Sequence, residues 1–189
     1  MPESVAMEGV LVRLAPLDPS LLADYHRWNN DRDTQRLSGF PDPPGERSLE
    51  GTRGWLERAR ASEDPRWWTL VEVSTGRAIG HVNLRDIDRH HGTAEMGITI
   101  GEKDARGRGY GTEAVKLLLA YAFEEAGLHN VMIDVFAYNP AALRAYQKAG
   151  FREVGRRREA QVWEGTRHDV ILLDALASEW KGAGASRGG

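Results

Sequence analysis

The chain has 189 residues, with 25 Lys and Arg against 28 Asp and Glu, a formal net charge of −3 and no cysteine. This length suits one domain with a full hydrophobic core, and the missing cysteines exclude disulfides, thiolate metal sites and a covalent thioester on a cysteine nucleophile. The slight negative charge supplies no broad cationic field for nucleic acid, no apolar run approaches the roughly 20 residues that span a bilayer, and Met1-Pro2-Glu3-Ser4 lacks the layout of a secretory signal, so neither nucleic-acid nor membrane partners are expected and the location is expected to be cytoplasmic.

Val10 to Leu14 alternates apolar and polar residues and predicts a first strand, after which Pro16 and Pro19 turn the chain into an amphipathic helix from Leu21 to Trp28. Pro41, Pro43, Pro44 and Gly45 make a loop, and Leu49 to Ala61 reads as a helix that presents Trp55, Leu56 and Ala59. Trp67 to Val73 and Ala78 to Leu84 are strands joined by the hairpin turn Ser74-Thr75-Gly76-Arg77. Ile87 to Gly92 is a polar turn before a strand through Ala94 to Ile100. A glycine turn then opens a helix over Thr112 to Ala126, which Gly127 stops. Val131 to Val135 is a β-branched strand. Asn139 and Pro140 open a short helix that closes at Gly150-Phe151. Arg156-Arg157-Arg158 reads as a solvated strand edge, and a final apolar strand follows His168-Asp169. From Lys181 onward the chain is rich in Gly, Ala and Ser, which leaves residues 1–181 as one domain and 182–189 as a flexible tail. The order implies an α/β (α+β) domain with a mixed sheet, antiparallel in its first half and strand–helix–strand in its second.

The glycine turn Arg106-Gly107-Arg108-Gly109-Tyr110-Gly111 lies between a strand and a helix start, the layout of a phosphate cradle. Glycines let backbone N–H groups approach an anion, the helix N-terminus leaves donors unpaired, and Arg106 and Arg108 add charge. No lysine follows Gly111, so a Walker loop is excluded, and a dinucleotide fingerprint counted from Gly107 and Gly109 meets Thr112 where its third glycine belongs. Among the six histidines, His90 and His91 share a turn, while His26, His81, His129 and His168 show no ligand spacing. No metal is expected.

The surviving pattern, Arg106-x-x-Gly109-x-Gly111, resembles the coenzyme A pyrophosphate loop of the GNAT superfamily of N-acyltransferases. Asn139, Tyr146 and Gly150-Phe151 resemble its second hallmark, although each has a plain reading as well: Asn139 as an N-cap, Tyr146 as a core aromatic, Gly150 as a helix stop. Ala94-Glu95-Met96-Gly97, Trp163-Glu164-Gly165, His168-Asp169, Trp28-Asn29-Asn30-Asp31 and Glu179-Trp180 are similar to the branch that includes ribosomal-protein N-terminal (alanine) and polyamine acetyltransferases. The likeness runs from Val10 to Trp180, with its specific motifs between residues 94 and 169. One departure is Ala142, where many members carry serine.

The resemblance implies about seven strands with a splay between the fourth and fifth, helices on both faces, and acetyl-CoA as donor to a primary amine: a protein or peptide N-terminus, a polyamine or another small amine. It also allows a homodimer. Ile98, Thr99 and Ile100 would pair with the pantetheine arm, with an N–H at Ile98 or its neighbour meeting the oxyanion. Arg106, Gly107, Arg108, Gly109, Tyr110, Gly111 and Thr112 would hold the diphosphate, and Asn139 would touch the arm. A lysine-like amine costs about 4.6 kcal/mol to neutralise at pH 7, so a base is needed. Glu95 takes that place, or else is a strand glutamate paired with an arginine; His81 is held in reserve. Tyr146 would hydrogen-bond the departing sulfur, since full transfer from a phenol near 10 to a thiol near 8.5 runs uphill by roughly 2 kcal/mol. Arg144 and Lys148, four apart on one helix face, lie toward the nucleotide end without an assigned role. Trp28, Asn30 and Asp31 are the expected acceptor-side residues, with Asp31 attracting a cation and Trp28 packing on it. A coenzyme A sensor that has lost catalysis is the alternative function, and a nucleotide-binding oxidoreductase a third.

Overall fold

A computed structural model describes residues 7–39 and 45–180. The proline positions 41, 43 and 44 and the tail at 182–189 lie outside the described residues. In chain order the strands are β1 (Met7–Glu8), β2 (Val12–Pro16), β3 (Arg66–Glu72), β4 (Ala78–Asp88), β5 (Thr93–Ile100), β6 (Asn130–Phe136), β7 (Arg152–Trp163) and β8 (Thr166–Leu176). The helices are α1 (Leu22–Asn30), α2 (Arg32–Leu37), α3 (Leu49–Ala61), α4 (Tyr110–Ala120) and α5 (Pro140–Ala149). All eight strands join one sheet in the order β1-β2-β3-β4-β5-β6-β8-β7.

The eighth strand is the two-residue β1, which pairs Met7 with Leu14 and Glu8 with Arg13. Val10 and Leu11, expected inside the first strand, instead make the turn between β1 and β2. Their direction is set from α4: the Glu113 carboxylate accepts the backbone N–H groups of Val10, Leu11 and Val12 at 3.1, 2.6 and 2.7 Å. One side chain thereby satisfies three successive donors.

Among the described residues only β5 and β6 run parallel, and their pairing is short. It covers Thr93 with Asn130, Ala94 with Val131 and Glu95 with Met132, and then ends. Beyond that point β5 stays on β4 as far as Ile100, while β6 follows β8 as far as Phe136. This is the expected splay, moved from the fourth and fifth strands to β5 and β6 by the additional strand at the start.

Period-two alternation sends one set of side chains to each face. Val82, Leu84, Met96, Val131 and Ile133 pack with Val115, Leu118 and Leu119 of α4 and with α5 in the main core. On the opposite face Leu17, Tyr25, Trp28, Leu56 and Ala59 form a second core under α1 and α3. Helix α4 begins at Tyr110, two residues before the expected start, and its last turn widens into a π turn over Tyr121–Glu125 before the left-handed Gly127. Helix α2 was not expected. Arg156, Arg157 and Arg158 lie on β7, the outermost strand, and are exposed, as a protected edge requires.

Replacing Glu113 by alanine leaves three backbone N–H groups without their protein acceptor. The expected cost is about 1–3 kcal/mol, read as a fall in Tm of about 2–4 °C per kcal/mol in thermal denaturation.

Candidate active site

Past Glu95 the free edge of β5 opens on a cavity of about 370 Å³. Ile98, Thr99 and Ile100 form its floor, the glycine loop one wall and α5 the other, and Thr34, Leu37 and Ser38 close it from above. The roof is α2, so sequence reasoning missed a whole wall of the site. A signal for it was present: Asp31 caps this helix, its carboxylate accepting Thr34 N–H at 2.9 Å, and the Asp-x-x-Thr spacing of an N-cap is readable in the chain.

The loop wall has the geometry of an anion site. Gly107 and Gly109 adopt φ of +74° and +88°, a left-handed region that side-chain-bearing residues avoid. Gly109 occupies the N-cap position of α4, and no side chain caps the helix there. The leading N–H groups, which have no intrahelical carbonyl to bind, therefore remain available at the cavity wall beside Gly111 and Thr112. This fit to a diphosphate rests on backbone donors alone.

The side chains of the loop divide differently from expectation. Arg106 lines the cavity, but its guanidinium is engaged within the protein, donating from Nε to the Ile100 carbonyl at 3.1 Å and from Nη2 to Thr34 Oγ1 at 2.9 Å. Arg108 does not line it. Its guanidinium lies over the Tyr110 ring and 3.9 Å from the Glu72 carboxylate. The Tyr110 side chain likewise turns away, its hydroxyl donating to buried Glu72, so Tyr110 reaches the site through its backbone only. These two side chains are corrected from ligand contacts to anchors that tie the loop to the β3–β4 hairpin.

Across the cavity, Asn139 caps α5 with its Oδ1 on Ala142 N–H at 3.1 Å, while the residue itself lines the space. Tyr146 is buried and also lines it, so its plain and its chemical readings coexist. Burial pushes its phenol well above the usual range, which keeps the hydroxyl a donor. Arg144 and Lys148 stand at the outer rim.

The expected acceptor-side residues are structural. Trp28 is fully buried, its indole N–H on Glu102 Oε1 at 2.8 Å, and it packs so tightly that a Cβ on Gly101 would lie 2.1 Å from Trp28 Cγ. Asn30 exchanges hydrogen bonds with the Arg47 backbone at 2.8 and 3.0 Å, fastening the end of α1 to the segment that leads into α3. Asp31 caps α2 and holds Lys103 at 2.8 Å. His81 is enclosed by Tyr25, Trp55 and Trp67, and burial, with Arg47 adding, lowers its pKa to about 4. A neutral, sealed imidazole is no reserve base. Glu95 fits both of its readings: its Oε2 accepts from Arg85 at 2.7 Å, and the side chain is half exposed at the mouth of the splay. Among the described residues no group of three His, Cys, Asp or Glu side chains is arranged to hold a metal ion, and no helix is long and apolar enough to cross a membrane.

A cavity beside parting strands, walled by an uncapped helix N-terminus, is a specific arrangement, and comparison identifies it. The family model for the acetyltransferase (GNAT) domain matches residues 12–152. The chain belongs to the GNAT family. It is an acetyl-CoA-dependent N-acetyltransferase, consistent with its relatives. It is 28% identical over 164 residues to an N-acetyltransferase 9-like protein of Caenorhabditis briggsae, covering 80% of each chain. To the alpha/beta-tubulin-N-acetyltransferase 9 of Drosophila melanogaster it is 27% identical over 189 residues, covering 94% of this chain and 90% of the relative. Among solved structures it is similar to the spermidine N-acetyltransferase of Vibrio cholerae in complex with CoA and spermine, with a TM-score of 0.81, 25% identity, and coverage of 89% of this chain and 97% of that one. The GNAT frame supports acetyl-CoA as cosubstrate.

A methyl group on Gly109 would strain its left-handed backbone by roughly 1 kcal/mol or more and tilt the N–H groups of the loop. Gly109→Ala is expected to weaken coenzyme A binding at least tenfold in titration calorimetry, with the far-ultraviolet circular dichroism unchanged.

Proposed function

We propose that the chain moves the acetyl group directly from acetyl-CoA to a primary amine in a ternary complex, the amine being a protein N-terminus or a polyamine-like small molecule. The observation that carries this reading is the uncapped N-terminus of α4 on a cavity that continues into the β5–β6 splay. One end supplies donors for a diphosphate; the other supplies an unpaired strand edge for an amide-bearing arm. Such an arm points its acyl end toward Glu95.

Each part of the reaction then has a group. Backbone N–H at Ile98 or its neighbour meets the carbonyl oxygen as charge develops on it. Tyr146, held protonated by burial, donates a hydrogen bond to the leaving sulfur. Glu95, steadied by Arg85, faces the incoming amine as the carboxylate on the acceptor side, where a base is needed. With no cysteine in the chain, the acetyl group has no thiol on the enzyme to visit, which favours direct attack. The tubulin and spermidine acetyltransferases similar to this chain frame the acceptor class, a primary amine on a protein or on a small polycation. The cytoplasmic location expected from the sequence stays part of this proposal, alongside a water-soluble donor and acceptor.

Two measurements test it. Titration calorimetry should detect coenzyme A binding, and absence of heat would overturn the reading. Tyr146→Phe should lower kcat by at least about tenfold and change the KM for acetyl-CoA by less than about threefold, as expected for an interaction made chiefly with the leaving group. Unchanged turnover would remove Tyr146 from the chemistry.

A further inference from the structure

The sheet face that carries Glu95 holds a second carboxylate at the splay. Asp134 lies on β6 two residues past Met132, the last residue paired with β5, and so projects to the same face as Glu95. Gly97 lies two residues past Glu95 on β5 and offers no side chain beside it. On the other flank the register partner of Asp134 is Leu172, whose own partner on β7 is Gly155. Asp134 is thus an exposed acid at the splay.

The sheet surface beside Glu95 is polar. Asn83, the cross-strand partner of Gly97, is 6% exposed, and its Oδ1 is buried without a hydrogen-bond partner. A Cβ on Gly97 would come within 2.9 Å of Asn83 Nδ2 and 3.3 Å of both Asn83 Oδ1 and Arg85 Nη1. The place beside Gly97 is therefore filled by the Asn83 amide and by Arg85, which in turn holds Glu95. An ammonium group suits instead the pair of carboxylates, Glu95 and Asp134, that the splay leaves on one face of the sheet.

The two acids differ in their engagement. Glu95 has one oxygen committed to a guanidinium 2.7 Å away. Asp134 has no hydrogen-bond or ion-pair partner among the described residues. The charged groups acting on it are Glu95 from β5, Arg85 from β4 and Arg157 from β7. Burial first, and Glu95 second, raise its pKa against the counter-effect of the two arginines.

We propose that Asp134 is the group that receives the proton of the acceptor's ammonium, while Glu95 positions that nitrogen at the β5–β6 splay. In this step an N–H bond of the ammonium breaks, its electron pair stays on nitrogen and an O–H bond forms on Asp134. The neutral nitrogen then bonds to the acetyl carbonyl carbon as the C–S bond breaks. The second proton shed by nitrogen ends on the sulfur, with the Tyr146 hydroxyl as its hydrogen-bonding partner. Asp134, exposed, returns its proton to solvent.

The inference rests on the acetyl-transfer reading, and the experiment separates the two. Coenzyme A release from acetyl-CoA is followed against pH for the wild type, Asp134→Asn and Asp134→Glu, with spermidine and a short peptide bearing an N-terminal alanine as acceptors, alongside calorimetry with coenzyme A. Activity that needs ionised Asp134 rises as pH climbs through its raised pKa and then levels. Asp134→Asn should lose at least about tenfold in kcat/KM at neutral pH, lose that acidic limb, and approach the wild type only as alkaline pH supplies free amine. Asp134→Glu should restore a limb, and coenzyme A affinity should be the same in all three. Superimposable profiles for the wild type and Asp134→Asn would overturn the role of Asp134 and leave acetyl transfer standing. A wild type that binds coenzyme A yet acetylates neither acceptor would overturn both.

Discussion

Three residue pairs of parallel sheet, and no more, hold β5 to β6, and the site depends on where that pairing stops. Had the ladder continued, the N–H and C=O groups of Met96 to Ile100 would be spent on β6, and neither an arm nor a carbonyl oxygen would find donors there. Instead β6 is drawn away by β8 over seven register pairs, while β4 holds β5 to its end. The wedge between them joins the two faces of the sheet. In the proposed reaction, donor binding on the α4–α5 side and amine binding on the α1–α3 side would meet at one strand edge.

Much of this was readable in the chain because local chemistry and tertiary role agree. The glycine loop, the β-branched Val131 to Val135 and the Asn139-Pro140 opening each follow a backbone rule, and each stands where that rule puts it. Side-chain direction was not readable. Arg106, Arg108 and Tyr110 sit in one loop with similar promise. Only the fold reveals that Glu72, from a hairpin nearly forty residues earlier, collects Tyr110 and draws Arg108 toward it. Trp28, Asn30 and Asp31 hold structural contacts that their sequence did not announce, for a related reason: a short segment rich in hydrogen-bonding groups looks the same whether it faces a ligand or fastens a helix end. Asp134 escaped notice because its significance comes from β5 ending its partnership two residues earlier, which no local pattern encodes.

The roof of the cavity is bound into the same frame. Lys103 holds Asp31, Asp31 caps α2 through Thr34, and Arg106 reaches from the diphosphate loop to the Thr34 hydroxyl. Charge and hydrogen bonding thus run unbroken from the segment after β5, through the roof, to the loop. In the proposed complex, an anion seated on that loop would act on Arg106, and through it on the helix that roofs the cavity. The site is a closed ring of contacts around the cavity, and no single strand or helix suffices to shape it.

Trp28 and Gly101 carry a different consequence. Because the indole occupies the place a methyl group would need, and is bonded to Glu102 as well, α1 and the terminus of β5 are locked as one rigid piece. Diversifying the helical layer to admit new amines would shift the strand edge that aligns the thioester. In the proposed reaction, substrate range is therefore mechanically coupled to donor alignment on the α1 side.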